Sequence, residues 1–305
     1  MYVQGVTTME GKTAYYAPVP RLIITADDLG VNPQRSHGIF QCAEFGVVTG
    51  ASLWPNGSDS EAAARHARER KFPVGLHVNL VEEYPLSEPG DVASLVDSTG
   101  RFHPAQRLFT LLDEGKVQRE HLEREIRAQL AWATDHGLAL THVAGNWDAH
   151  VHPAVAMALI PAMERYGIRF VRIPCEEPLP PFGFNVPAEQ LDAIRATNAM
   201  AKEARRLFEA AGIASTDHFR GHTLLGNASA KNLRHVISRL PEGTTELMVH
   251  PGSPVPVASL RYGASPGTPF DLDPQRQTEL RMLTDASLRA ILVERKVELV
   301  GWGEM

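Results

Sequence analysis

The sequence is poor in cysteine, in excess positive charge and in long hydrophobic runs. Its two cysteines, Cys42 and Cys175, lie in apolar surroundings without metal-site spacing, which indicates free thiols and a reducing, cytoplasmic location. Because 36 acidic residues outnumber 30 Lys and Arg, for a net charge of -6, no nucleic-acid partner is expected. No stretch approaches the roughly 20 apolar residues of a membrane span, and residues 1–19 lack the apolar core of a signal peptide. The sequence leaves a homodimer open.

Strand-like apolar runs alternate with helical patterns along almost all of the 305 residues, of which 43% are hydrophobic. Strands are predicted at 21–26, 47–53, 73–80, 138–143, 169–173, 215–219, 244–249 and 296–301. Helices are predicted near 35–46, 59–70, 104–115, 117–136, 153–166, 187–211, 229–239 and 274–294. This alternation predicts βαβ units and a parallel sheet. With no repeat or linker, we expect a polar arm at 1–19 and one α/β domain at 20–305, a distorted or incomplete barrel.

Two adjacent carboxylates, Asp27 and Asp28, end the first predicted strand and are followed by Gly30. In parallel α/β folds that edge of the sheet carries the chemistry, and at a frayed strand end two neighbours can reach one site. One of them could hold a metal while the other moves a proton. A helix cap or turn before Pro33 is the structural alternative for the same two residues.

Polar residues also occupy the ends of other predicted strands. His77 alternates with Leu76 and Val78, so it points away from their apolar face. A lone histidine there is often a satisfied core residue. Beside an Asp pair it becomes a candidate ligand, because imidazole and carboxylate together suit a divalent ion such as zinc.

Three further strand ends carry candidate side chains. Arg172 could fix a carboxylate by paired hydrogen bonds, and His250 could donate a proton to a leaving group near neutral pH. Asp217 is a weaker candidate for substrate contact.

The segment 141–153 is the densest polar cluster in the chain. Asp148, His150 and His152 alternate, so in an extended conformation they would share one face. We predict substrate contacts for Asp148 and His150, although a helix-entry loop is the structural alternative. The loops 84–103, 174–186 and 251–269 are expected to shape a pocket. Three aromatic residues are candidate stacking partners for a sugar ring: Trp54, Trp147 and Phe182.

Six segments together resemble the YdjC family of carbohydrate deacetylases, in order from about residue 21 to 255. They are Ile23 to Gly30, Gly75 to Leu80, Leu95 to His103, Thr141-His142, Val171 to Pro174, and Glu246 to Gly252. The resemblance implies a distorted (β/α) barrel of the glycoside hydrolase/deacetylase type. It also implies one divalent metal ion, magnesium or zinc, and hydrolysis of an N-acetyl group from a sugar or oligosaccharide.

Carried over residue by residue, the resemblance assigns roles to the strand-end side chains. Asp28 and His77 would be metal ligands, and Asp27 would be the base that deprotonates metal-bound water. Arg172 would orient that base, and His250 would be the acid that protonates the departing amine. These assignments agree with the chemistry expected of a metal hydrolase.

The third metal ligand is where this chain departs from the family pattern Asp-Ser-His-x-His-Val-His. Without a gap, Asn146 stands where the ligand histidine belongs and Asp148 stands at the next histidine. With a gap, His150 becomes the ligand. We favour Asn146 because no insertion is required, and an amide oxygen would weaken metal binding or move the preference toward magnesium or manganese.

Two other functions are compatible with the sequence. The residues from Asp148 to Pro153 resemble the His-x-His motif of amidohydrolase barrels, which would make His150 and His152 ligands and leave Asp27 and His77 without a role. A sugar-binding protein that kept the fold and weakened its catalysis is the third possibility.

Overall fold

The computed structural model describes residues 5–7, 13–15, 19–177, 183–253, 270 and 273–305. Strands β1 (Gly5–Thr7) and β2 (Thr13–Tyr15) pair antiparallel within the segment predicted as a polar arm. The other strands form one sheet, and every pairing in it is parallel. They are β3 (Arg21–Leu29), β4 (Gly50–Leu53), β5 (Val74–Val78), β6 (Leu140–Gly145), β7 (His218–Arg220), β8 (Thr244–Val249) and β9 (Glu298–Leu299).

The sheet curls into a half-barrel in the order β6-β5-β4-β3-β8-β7, with β9 added beside β3. Helices cover its outer face: α1 (Pro33–Phe45), α2 (Ser60–Arg70), α3 (Ala105–Asp113), α4 (Arg119–Asp135), α5 (Pro153–Arg165), α6 (Ala188–Ala210), α7 (Ala230–Ile237), α8 (Gln275–Thr284) and α9 (Ala286–Glu294). The prediction of an incomplete α/β barrel is therefore confirmed. Among the described helices, none is long and apolar enough to cross a membrane.

Strand alternation separates an apolar outer face from a polar inner face. On β3, Leu22 and Ile24 pack in the apolar cluster beneath the helices, whereas Thr25 and Asp27 point to the inside of the curl. Thr25 accepts a hydrogen bond from Trp302 Nε1 (3.1 Å), and this indole stacks on His142 with ring centroids 4.4 Å apart. The inner face thus combines an aromatic plug with polar side chains.

Three local predictions differ from the structure. The segment 169–173 is not a strand; only single bridges join Val171 to Val143 and Phe170 to Ala214. The helix predicted at 274–294 is two helices, because Asp285 adopts an extended conformation and caps α9 by accepting from Ser287 N (2.7 Å). The strand predicted from residue 47 begins at Gly50.

The extended conformation predicted for residues 148–152 is also wrong. Residues Asn146–Val151 form a short 3-10 turn, inside which Trp147 and Asp148 both have positive φ. As a result, Asp148, His150 and His152 do not share a face. His150 Nε2 donates to the backbone oxygen of Arg172 (3.0 Å), while His152 caps α5 and contacts Asp113 (3.3 Å).

Candidate active site

A pocket of about 450 Å³ opens at the carboxyl ends of the sheet strands. Its polar lining comes from the ends of β3 and β5, from residues that follow β5, β6, β7 and β8, and from Arg172 and helix α6. Apolar side chains such as Ile194, Leu225 and Met248 complete the wall. The size and mixed lining are typical of a small-molecule site. Among its polar lining residues are Asp27, Asp28, His77, Asn146, Asp148 and His250.

Asp27 lies at the centre of a buried hydrogen-bond network. Both of its carboxylate oxygens accept from the Arg172 guanidinium, with Nη2 to Oδ1 at 2.9 Å, and Ser52 Oγ donates to Oδ1 at 2.8 Å. Burial alone would raise the pKa of Asp27, but the adjacent guanidinium, with His77 and His250, holds it well below its usual range. The carboxylate is therefore ionised and fixed in orientation.

Arg172 is itself fixed by a second carboxylate. Glu246, fully buried on β8, accepts from Arg172 Nε (2.9 Å) and Nη2 (2.7 Å). Burial lowers the pKa of a cationic group, but Asp27 and Glu246 outweigh this effect and raise the pKa of Arg172 well above its usual value. A planar guanidinium can serve two carboxylates in this way, which an ammonium group cannot.

Asp28 adopts a left-handed backbone conformation, with φ 69°, directly after Asp27. A non-glycine residue in this region is uncommon and carries strain, so the surrounding contacts must hold it. Its Oδ1 lies 3.7 Å from His77 Nε2, and its Oδ2 lies 3.7 Å from Arg35 Nη1. Because the chain turns between the two acids, both side chains reach the same pocket.

His77 and His250 flank the two acids. Nδ1 of His77 and Nε2 of His250 each lie 4.0 Å from Asp27 Oδ2. Burial lowers the pKa of His77 to about 4, so its imidazole is neutral. Burial and the Arg276 guanidinium also hold the pKa of His250 well below its usual range. The backbone of His250 is anchored because its N–H donates to Glu279 (2.6 Å) and its carbonyl accepts from Arg35 (3.0 Å).

Two ligands bound to one divalent ion at about 2.0–2.2 Å lie within roughly 4 Å of each other, and Asp28 Oδ1 and His77 Nε2 satisfy that limit. A neutral imidazole and an ionised acid are the protonation states that a metal requires. Among the described residues, no group of three or more His, Cys, Asp and Glu side chains is arranged to hold a metal ion.

Asn146, predicted as the third ligand, lies at the pocket with an amide oxygen in its side chain. Its Nδ2 donates to Asn79 Oδ1 (3.3 Å). The backbone N–H groups of Val81 and Glu82 donate to the same atom, both at 3.1 Å, which identifies it as the amide oxygen of Asn79. Because the amide nitrogen of Asn146 makes this hydrogen bond, the bond does not use the amide oxygen, which is the atom that a cation would need. Asn146 lines the pocket.

Two predicted substrate contacts lie away from the pocket. His150 is fully buried against the Arg172 backbone and is not part of the lining. Asp217 accepts from Thr244 N (2.8 Å) at the start of β8, whereas His250 follows the end of that strand. Six residues of strand separate these points by about 20 Å. The structure therefore brings Asp148 to the pocket but neither His150 nor Asp217.

Sequence reasoning missed Ser52, Glu246 and His222. His222 lines the pocket and contacts Asp148 Oδ2 through Nε2 at 2.8 Å. Glu246 carried a signal, since it is a charged residue inside an apolar strand, two positions before Met248 and four before His250 on the same face. Ser52 lies in a short apolar run and carried none.

Comparison with known proteins gives consistent matches over most of the chain. The family model described as YdjC-like protein matches residues 21–294. A mouse protein named carbohydrate deacetylase is 33% identical over 92% of this chain and 94% of its own length. A human protein of the same name is 34% identical over 92% of this chain and 90% of its own length.

One solved structure shares the fold. It comes from Enterococcus faecalis V583, is provisionally described as a cellobiose-phosphate cleavage protein, and superposes with a TM-score of 0.74 at 20% identity. The match covers 94% of this chain and 99% of that one.

Proposed function

The chain belongs to the YdjC-like protein family, as its strand-end motifs predicted, and we propose that it is a hydrolase that removes the N-acetyl group from an amino sugar or oligosaccharide. One observation carries the proposal. Two acids from the end of β3, two neutral histidines at the ends of β5 and β8, and the buried guanidinium of Arg172 meet at the bottom of one pocket, with contacts of 4.0 Å or less.

We propose that Asp28, His77 and the amide oxygen of Asn146 would hold one divalent metal ion. The donor set of one carboxylate, one imidazole and one amide fits magnesium, manganese or zinc. Such an ion, when bound, would polarise the amide carbonyl and lower the pKa of water. Arg35, near the outer oxygen of Asp28, keeps that carboxylate turned toward His77.

Asp27 is the proposed base. Arg172 and Ser52 fix its carboxylate, so no reorganisation is needed when the attacking water loses its proton. The same guanidinium weakens Asp27 as a base, because it stabilises the ionised form. Asp27 therefore holds the proton only briefly. Two imidazole nitrogens, His77 Nδ1 and His250 Nε2, lie 4.0 Å from Asp27 Oδ2, and since His77 is a proposed metal ligand, His250 is the proposed group that takes the proton onward.

His250 is the proposed acid. Its low pKa means that the resting imidazole is neutral, so it must gain its proton during the reaction. It then protonates the nitrogen of the breaking C–N bond, and the products are acetate and a free amine. The buried contacts to Glu279 and Arg35 hold the backbone of His250 in place for this step.

The test is acetate release from N-acetylated amino sugars and short oligosaccharides. We expect activity that a chelator removes and that magnesium, manganese or zinc restores. A folded sample that releases no acetate with any of these ions would contradict the proposal. The predicted cytoplasmic location and homodimer stay predictions.

Neither alternative function gains support from a specific observation. An amidohydrolase site would need His150 and His152 to converge, yet they contact Arg172 and Asp113 in different directions. For a binding protein with weakened catalysis, the complete Asp27, Arg172 and His250 network would have no use.

A further inference from the structure

A fully buried histidine, His142, lies behind the proposed base and takes no part in the proposed reaction. It belongs to β6, and Ser52, which it contacts, belongs to β4. The strand between them, β5, contributes Gly75, which pairs with Ser52. Because a Cβ at Gly75 would lie 2.4 Å from the His142 ring, only glycine leaves room for the imidazole to reach across β5.

An irregularity in strand pairing aims the imidazole at Ser52. The register of β5 and β6 shifts at this point, so that Thr141 and His142 together lie opposite Gly75. Bulges of this kind turn a side chain out of the regular alternation, and they are frequent beside active sites. The indole of Trp302 stacks on the imidazole, with ring centroids 4.4 Å apart and planes 12° apart. His142 is thereby held in one orientation.

The direction of each hydrogen bond follows from the ionised carboxylate of Asp27. Such a carboxylate only accepts, so the hydroxyl of Ser52 donates its proton to Asp27 Oδ1 (2.8 Å). Ser52 Oγ lies 3.4 Å from His142 Nε2 and has no second proton, so Nε2 is the donor. Burial holds the pKa of His142 well below its usual range, so the imidazole is neutral and Nδ1 accepts from Thr141 Oγ1 (3.0 Å).

The two oxygens of Asp27 consequently differ. Oδ1 accepts from Ser52 and from Arg172 Nη2 (2.9 Å), so two donors occupy it. Oδ2 also accepts from Arg172, but it lies 4.0 Å from Nε2 of the proposed acid, His250. Oδ2 is therefore the oxygen suited to take a proton from water and pass it on. If the hydroxyl of Ser52 turned to His142 instead, Oδ1 would lose a donor and would compete with Oδ2 for that proton.

We propose that His142 is a positioning residue for the base: it fixes the hydroxyl of Ser52 on Asp27 Oδ1 and so directs the proton of the attacking water to Oδ2. The inference rests on the proposed function for its reaction, whereas the order of the hydrogen bonds does not depend on it. His142 does not line the pocket, so its effect must pass through Ser52. The proton then moves to His250, and no co-reactant is required.

Two replacements separate the N–H donor from the packing. His142→Gln keeps an N–H near the position of Nε2 but loses the stack on Trp302, whereas His142→Phe keeps the stack and has no donor. We expect kcat to stay within about twofold of wild type for His142→Gln and to fall about three- to fivefold for His142→Phe, as for one neutral hydrogen bond. KM should not change in either variant. If kcat falls further for His142→Gln than for His142→Phe, packing explains the effect and the proposal is overturned.

Coupling to Ser52 gives a second test. In the Ser52→Ala background, His142→Phe should cause no further fall in kcat, because the hydroxyl that His142 positions is gone. Independent losses that multiply in the double variant would contradict a route through Ser52. The matched control is His136→Phe at the end of α4, since His136 also stacks on a tryptophan, Trp132, with ring centroids 3.9 Å apart. It should change neither kcat nor KM.

The tautomer of His142 is measured by NMR of the imidazole nitrogens in the resting protein, without metal or substrate. We expect Nε2 to carry the proton and Nδ1 to be unprotonated at neutral pH. The opposite tautomer, or a doubly protonated ring, would overturn the proposal. Because this measurement needs no turnover, it separates the inference from the proposed reaction. If the expected tautomer is found while wild type releases no acetate, the hydrogen-bond order stands and the deacetylase proposal does not.

Discussion

Replacing Asp27 by Asn removes one negative charge from a fully buried cluster while leaving its shape nearly unchanged. In the wild-type chain, Asp27 and Glu246 share the single guanidinium of Arg172. In Asp27→Asn the amide oxygen can still accept from Arg172 Nη2 and from Ser52. The amide nitrogen of the new side chain, however, would face Arg172 Nη1. One charge-assisted hydrogen bond is therefore lost, and two N–H donors oppose each other in its place.

The cost to stability follows from what remains around Arg172. A hydrogen bond to a charged group contributes about 1.5–3 kcal/mol, and a buried ion left wholly unpaired costs about 3–5 kcal/mol. Because Glu246 still neutralises the guanidinium, we expect the smaller figure, a fall of about 1.5–3 kcal/mol in the free energy of unfolding. The loss of a general base is larger in kinetic terms, about 10²–10⁴-fold in kcat, or about 3–5 kcal/mol of barrier.

The assay combines three measurements on one folded sample: acetate release, urea unfolding and metal content. Ser52→Ala is the matched control, because it removes a neutral donor to the same carboxylate (2.8 Å) without touching the charge. It should cost about 1–2 kcal/mol of stability and change kcat less than about tenfold. If Asp27→Asn binds metal, remains folded and keeps more than about a tenth of the wild-type kcat, then Asp27 is not the base.

Three further outcomes are expected. Asn146→Ala should lose bound metal while His150→Ala keeps it, measured by elemental analysis; the reverse result would assign the ligand to His150. In metal-free protein, the pKa of His150 is lowered by burial from 6.5 to about 4, so stability should be full above pH 6.5 and decline as pH falls toward 4. His150→Gln should flatten the urea-unfolding profile over that window, and an unchanged slope would refute the assignment. Asp217→Asn should lower stability by less than about 1 kcal/mol and leave kcat/KM unchanged, since its partner is Thr244 N at the far edge of the sheet; a drop in kcat/KM would restore it to the site.

Much of the fold could be predicted because parallel strands in this chain are short apolar runs followed by amphipathic helices. Helix α4 is an example: Leu122, Ile126 and Leu130 are spaced four residues apart and are all buried. The segment 169–173 has the same apolar pattern but makes only one bridge on each side, so tertiary context decided against a strand. The helix break at Asp285 depended on a side-chain cap that periodicity does not register.

The site divides in the same way. Strand periodicity and family resemblance together predicted a shared site for Asp27, Asp28, His77, Arg172 and His250. All five side chains line one pocket. The prediction for residues 148–152 failed because it assumed an extended backbone. The positive φ values of the turn after β6 change the relation between sequence spacing and side-chain direction. Asp is one of the residue types that adopt this conformation more readily, but Trp147 gives no sequence signal for it.

Glu246 shows how the remaining part of the site could have been found. Residues i, i+2 and i+4 of an extended segment share a face. Here those positions are Glu246 and Met248 on β8 and His250 directly after the strand. Since Met248 and His250 line the pocket, the same face carries Glu246 toward the interior, where it binds Arg172. One strand thus supplies the proposed acid and, four residues earlier, the carboxylate that holds the guanidinium against Asp27. A shift of β8 by one residue along β3 would move both groups at once, so the pairing of Ile23 with Glu246 fixes the geometry of base and acid together.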